Sequence, residues 1–155
     1  MSEMPRFPWA TPEPGRLVGR GHPAGEFLEA WKWDILEETA GYMHIRAGLP
    51  EQVKNPRGQL FGGFTPAYVD LVALFTVRAG PDRLTAERRW LATTGMRVEY
   101  FEPITGPAFE IESSLDKSRG RTHFVITRFF QDGELAVFAS TTMREPAMDR
   151  PLGDA

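Results

Sequence analysis

Asp70 is the only acidic or basic side chain, Tyr68 apart, between Phe61 and Arg78 of a 155-residue chain. From Pro66 to Val77 its surroundings are apolar nearly all round, which predicts a buried helix with a buried carboxylate inside it. Such a group costs several kcal/mol unless it is paired or put to use. Two readings stand open on these residues alone. Asp70 is a general base or nucleophile, or it is a structural acid paired with an arginine such as Arg97 or Arg121 or bonded to backbone donors.

Gly62 and Gly63 precede this helix. Two glycines let a ligand approach the backbone closely, and the first amides of a helix lack internal partners and carry the positive end of its dipole. Amides so placed can polarise a carbonyl or bind an oxyanion. The same dipeptide also serves simply as a turn. His22, His44 and His123 are far apart and have no metal-ligand spacing, and the absence of cysteine excludes disulfides, thiolate metal sites and a cysteine nucleophile. No metal and no cofactor are expected.

Composition sets the frame for these groups. A chain of this length is one ordinary domain, and 41% hydrophobic with 25% charged residues is typical of a globular protein. A net charge of -3 is no electrostatic footprint for nucleic acid or an anionic membrane. Met1 to Gly15 lacks a basic start followed by an apolar run, and no window is apolar for long enough to span a bilayer. A cytoplasmic location is expected.

The elements that must position the candidate groups follow from periodicity. Residues 1–22 read as an extended arm carrying Pro5, Pro8, Pro12 and Pro14. Pro23 to Ala30 reads as a short helix. Trp31 to Glu37 alternates with Trp31, Trp33 and Ile35 on one face, Thr39-Ala40-Gly41 makes a turn, and Met43, Ile45 and Ala47 alternate again. Leu49 to Gly58 is a loop. Pro66 suits a first helical turn, and Gly80-Pro81 ends the helix. Four strands remain. Thr93 to Phe101 sets Thr94, Met96, Val98 and Tyr100 on one face. The next strand shares Phe109, Ile111 and Leu115. A turn over Lys117 to Arg121 leads to Thr122 to Phe130, and Gln131-Asp-Gly-Glu134 is a two-residue hairpin turn into Leu135 to Met143, with Leu135, Val137 and Ala139 on one face. The domain spans 23–144, and 145–155 is a flexible tail. One helix dry on all sides requires a curved sheet around it.

Asn55-Pro-Arg-Gly58, then Phe61-Gly-Gly63, then Asp70 together resemble the motif of hotdog-fold acyl-CoA thioesterases, of the kind that act on phenylacetate-pathway and hydroxybenzoyl-CoA substrates. The family pattern is Asn-Pro-x-Gly-x-x-His-Gly-Gly with an acid eight residues after the first glycine of the pair. Asn55, Pro56, Gly58, Gly62, Gly63 and Asp70 all stand at its spacings, and Tyr100-Phe-Glu-Pro103 matches the aromatic-x-x-Pro that closes the family's next strand. The resemblance covers residues 25 to 144.

It implies an α+β fold, a six-stranded antiparallel sheet wrapped around a helix from Gly63 to Ala79. It implies a homodimer or homotetramer with sites between subunits, and acyl-CoA as substrate. Gly62 would donate its amide to the thioester carbonyl, and Asp70 of the partner chain would act as base or nucleophile. Asn55 would orient the water or the carboxylate. Thr93, with Thr94 beside it, stands where a hydroxyl often helps position the water, although threonine is also ordinary strand composition. Phe61 and Gly63 would line the substrate site. Arg119 and Arg121, with Lys117, would meet the phosphates of CoA or form a solvated turn.

Phe61 departs from the pattern, because it stands where the family has histidine and cannot hydrogen-bond. It fits a more apolar acyl pocket. Its presence keeps a second reading open, a non-catalytic hotdog that binds acyl-CoA. A hydratase or dehydratase is disfavoured because its histidine is missing. His44 and His123 read as plain strand residues, and Trp31, Trp33 and Trp90 as packing or interface residues.

Overall fold

The computed structural model describes residues 15–17, 32–83 and 90–147. Six strands and one long helix follow in the order β1 (Asp34–Thr39), β2 (Tyr42–Gly48), α1 (Thr65–Val77), β3 (Ala92–Tyr100), β4 (Ala108–Arg119), β5 (Thr122–Gln131) and β6 (Glu134–Arg144). All neighbours pair antiparallel in the order β1-β2-β4-β5-β6-β3, so β3 closes the sheet as an edge. This is the architecture expected, one curved sheet laid against one helix. No helix among the described residues is long and apolar enough to cross a membrane.

Alternation drives the strands. Met43, Ile45 and Ala47 of β2, Phe109, Ile111 and Ser113 of β4, and His123, Val125, Thr127 and Phe129 of β5 all face inward and are buried. Turn chemistry sets the registers. Asp132 and Gly133 both take positive φ, 53° and 85°, as the two-residue turn between Gln131 and Glu134 requires. The β4–β5 turn is tighter than the span Lys117 to Arg121 suggested. Arg119 pairs with Thr122, leaving Gly120 and Arg121 as the turn. The face of β6 also differs from simple alternation. Phe129 pairs with Val137 but Phe130 pairs with Leu135, so Ala136 is an inserted residue. Ala136 is buried while Leu135 is only half-buried.

Tyr68 of α1 is the centre of the core. Its ring stacks on Trp33, centroids 4.9 Å apart, and meets Phe109 and Phe129 at 5.4 Å and 6.5 Å. Its hydroxyl donates to the Gly48 carbonyl at 3.3 Å. Trp33 is thus the packing residue expected, while Trp90 is exposed.

The helix is not dry on all sides. Thr65, Tyr68, Val69, Val72, Ala73, Phe75 and Thr76 face the sheet and are buried, but Asp70 is exposed, and Ala67, Leu71 and Leu74 are only partly covered. The sheet of one chain wraps one side of α1 and leaves a mostly apolar strip uncovered. The helix is also shorter than Gly63 to Ala79, since Gly62 to Phe64 form a turn before it.

Of the expected arm, Arg16 bridges to Asp34 of β1 and Leu17 is fully buried. Arg83 holds both in place, donating to the Arg16 and Leu17 carbonyls and to Glu38. Glu145, placed in the flexible tail by sequence, is anchored. Its amide donates to the Arg121 carbonyl at 2.9 Å and its carboxylate meets His123 at 3.2 Å. The rest of the arm, the short helix over Pro23 to Ala30, Trp31 and the tail from 148 onward lie outside the described residues.

Candidate functional site

Asp70 projects from the uncovered side of α1, and its partner is Thr93 at the start of β3, whose hydroxyl donates to the carboxylate. Neither arginine weighed as an ion-pair partner takes that role. Arg97 pairs with Glu99 at 2.6 Å, and Arg121 lies exposed in the β4–β5 turn. A bulge at Thr93/Gly95 separates the two threonines. Thr94 donates to the Thr142 carbonyl at 3.2 Å and does not join Asp70.

The loop before the helix is built by its own sequence. Asn55 does not reach toward Asp70. Its side-chain oxygen accepts the amides of Arg57 and Gln59 at 2.9 Å and 3.1 Å, and its amide group donates to the Gln59 side chain. This is the local turn that asparagine favours. Gly58 at φ 76° completes it, and Val53 and Leu60 anchor the loop in the core. Asn55 thus shapes the loop that presents Gly62.

Three carbonyl bonds then fix the backbone around the two glycines. The Phe61 amide donates to Val53 at 2.9 Å, the Phe64 amide donates to the Phe61 carbonyl at 2.8 Å, and the Tyr100 hydroxyl donates to the Gly62 carbonyl at 2.7 Å. The amides of Gly62 and Gly63 make no hydrogen bond among the described residues. They are available to a ligand oxygen.

Aromatic rings flank the pair. A Cβ on Gly63 would lie 2.7 Å from the Phe61 ring, and one on Gly62 would lie 3.7 Å from the Tyr100 ring. Phe61 is 51% exposed, so it stands as an open apolar wall and not as a core residue. A cavity of about 230 Å³ opens beside Gly62, lined among others by Thr65, Tyr100, Phe101, Ile104 and Val137.

Arg119 and Arg121 are exposed at the far end of the same sheet row. Arg119 pairs with Thr122, Thr122 with Arg144, and Arg144 with Ala92, the neighbour of Thr93. Three strand spacings put Arg119 roughly 14 Å from that end of β3. Arg144, absent from the sequence reading, joins this row, and only the register reveals it.

Among the described residues no cluster of His, Asp or Glu has the form of a metal site. His44 meets Glu110 at 2.8 Å, and His123 lies between Ser118 and Glu145. Burial pushes the Tyr68 phenol well above its ordinary range. Tyr100 was legible in sequence only as a strand residue opening an aromatic-x-x-Pro. Its bond to Gly62 required the fold.

No family model matches the chain, and no curated protein does. Solved structures do. Zebra fish thioesterase superfamily member 2 superposes with a TM-score of 0.65 at 18% identity, covering 76% of this chain and 83% of that one. A protein from Streptococcus pneumoniae described as a hypothetical thioesterase, solved with coenzyme A, superposes at 0.63 and 16% identity, covering 74% and 88%. A phenylacetic acid degradation-related protein from Ralstonia eutropha superposes at 0.59 and 23% identity, covering 68% and 76%. At these identities the likeness is one of fold, and the fold of this chain is the hotdog fold.

Proposed function

We propose that this hotdog-fold chain hydrolyses an acyl thioester, with acyl-CoA as the substrate class. The observation that carries the reading is the pairing of Asp70 with Thr93 on an open helix face, in a chain whose Gly62 and Gly63 amides are unengaged. A thioester is an activated acyl group. Its hydrolysis needs a base or nucleophile on one side and donors for the developing oxyanion on the other.

In this reading the Gly62 amide polarises the carbonyl, and Asp70 activates water or attacks the acyl carbon. Thr93 holds the carboxylate. Asp70 is supplied by a second copy of the chain. Two features support that arrangement: the uncovered apolar strip of α1 around Asp70, and the edge strand β3, which ends in exposed Tyr100 and is followed by exposed Phe101. Enclosure by a second copy would also shut bulk water away from the reacting groups. Phe61 and the cavity beside Gly62 suit an apolar acyl group. Arg119 and Arg121 suit the phosphates, set apart from the reacting end as a long pantetheine arm requires. The solved structure with coenzyme A shares the fold that makes this placement possible.

The test is free-thiol release from short, medium, long and aromatic acyl-CoAs by wild type and Asp70→Asn. Hydrolysis by wild type, falling by about a hundredfold or more in the variant, is expected. Unchanged hydrolysis overturns the role of Asp70. Binding of CoA esters without hydrolysis favours an acyl-CoA-binding protein, the reading to which the apolar Phe61 lends weight. A strictly monomeric mass in solution overturns the shared site.

A further inference from the structure

We propose that Tyr100 is a positioning residue that keeps the Gly62–Gly63 peptide from flipping, and so holds the donor pair in the orientation a thioester oxygen needs. The inference rests on the hydrolase reading above and gives a role to a residue that the resemblance left without one.

Two adjacent peptide planes, Phe61–Gly62 and Gly62–Gly63, carry the two donors. Both are trans, and in a trans peptide the N–H points opposite to the C=O. The Phe61 carbonyl is held by the Phe64 amide at 2.8 Å, and this sets the direction of the Gly62 N–H. The next carbonyl, that of Gly62, is held among the described residues by the Tyr100 hydroxyl alone, at 2.7 Å, and this sets the direction of the Gly63 N–H. Between two glycines no Cβ resists rotation of the intervening peptide. A flip would turn the Gly62 carbonyl to where the Gly63 N–H had pointed, replacing a donor with an acceptor that repels an oxyanion.

Tyr100 also lines the cavity beside Gly62. The residue is 53% exposed, so it contributes little to the core, yet its hydroxyl is committed to one backbone oxygen, and a Cβ on Gly62 would meet its ring at 3.7 Å. The residue is the last of β3, and the backbone just beyond it is pinned, because the Phe101 and Glu102 amides both donate to the Ala136 carbonyl. These two bonds fix the strand end from which Tyr100 reaches across. Successive N–H groups turned to one side form a concavity for anionic oxygen, and donors that need no reorganisation stabilise charge best.

Tyr100→Phe removes the hydroxyl and keeps the ring. The expected result is a fall in kcat of about ten- to a hundredfold with KM within about twofold of wild type and an unchanged Tm. A second readout does not depend on turnover. In ¹⁵N-resolved NMR of the full chain, the Gly62 and Gly63 amides should each give one sharp signal in wild type, and should broaden or double in Tyr100→Phe. An unchanged kcat overturns the proposal, as do unperturbed glycine amides. Parallel losses in Tm and KM also overturn it, since they would mark Tyr100 as a plain structural residue. Should wild type hydrolyse no thioester at all, the hydrolase reading fails, and the glycine amides alone then decide whether Tyr100 holds this peptide.

Discussion

The Thr93 hydroxyl donates a hydrogen bond to the Asp70 carboxylate, tying the first residues of β3 to the middle of α1. Twenty-three positions separate the two in sequence, and the bond exists only because β3 crosses to the far edge of the sheet beside β6. A carboxylate on an uncovered helix face has free rotamers, and one directed hydroxyl selects among them.

Thr93→Val should therefore misplace Asp70 without unfolding the chain. Thiol release should fall by about tenfold, most of it in kcat, while Thr93→Ser, which keeps the hydroxyl, retains most of the wild-type rate. Equal rates for the valine and serine variants would separate Thr93 from the chemistry. Both positions are exposed, so thermal melts of the two proteins should lie within about 0.5 kcal/mol of wild type.

Gly63→Ala should act through Phe61. The new Cβ would lie 2.7 Å from the Phe61 ring, which a real contact does not tolerate, and the half-exposed ring must swing aside. Activity should drop in Gly63→Ala and recover in part when Phe61→Leu is added. A strictly additive pair in a double-mutant cycle on kcat/KM would show that ring and glycine are uncoupled. Gly62→Ala meets only ordinary contacts at 3.7 Å, so it should fold normally.

Arg83→Met should lower stability and leave the activity of the folded protein alone. The guanidinium donates to Glu38 at 2.7 Å and to the Arg16 and Leu17 carbonyls at 3.2 Å and 3.3 Å, with its side chain 5% exposed. Removing it strands a partly buried carboxylate and two carbonyls, a loss of about 3 kcal/mol and a fall in Tm of about 10 °C. Calorimetry checks the size. Limited proteolysis should show faster cleavage near Arg16, and equal cleavage in both proteins would count against the clasp.

Alkaline pH should destabilise the chain through Tyr68. Burial raises its phenol above the ordinary value of 10, and burial, then Glu112 and Glu37, raise Tyr42 as well. An unfolded chain releases these protons near pH 10 while the folded chain retains them. The stability they contribute is complete below that pH and is lost as pH rises through the folded values. Urea midpoints measured from pH 8 to 11 should fall above 10, and Tyr68→Phe should flatten the decline. A wild-type midpoint indifferent to pH over that range would contradict the burial argument.

Periodicity and spacing determined much of this protein. Alternation in Met43, Ile45 and Ala47, the Asp132-Gly133 turn and the run from Pro66 to Val77 are local signals, because side-chain direction in a strand or helix and the φ of a turn depend on near neighbours. The spacing of Asn55, Gly62 and Asp70 is local too, and with it came the expected fold. What tertiary structure decided lies between distant segments. Which side of α1 the sheet covers depends on how far six strands curve, so the apolar sequence around Asp70 suggested burial where one chain leaves exposure. The roles of Asn55, Thr93 and Tyr100 turn on which partner lies within 3 Å or so. An asparagine beside its own loop amides satisfies itself there, whereas Thr93 and Tyr100 are carried to Asp70 and Gly62 by a strand register that no short stretch of sequence encodes.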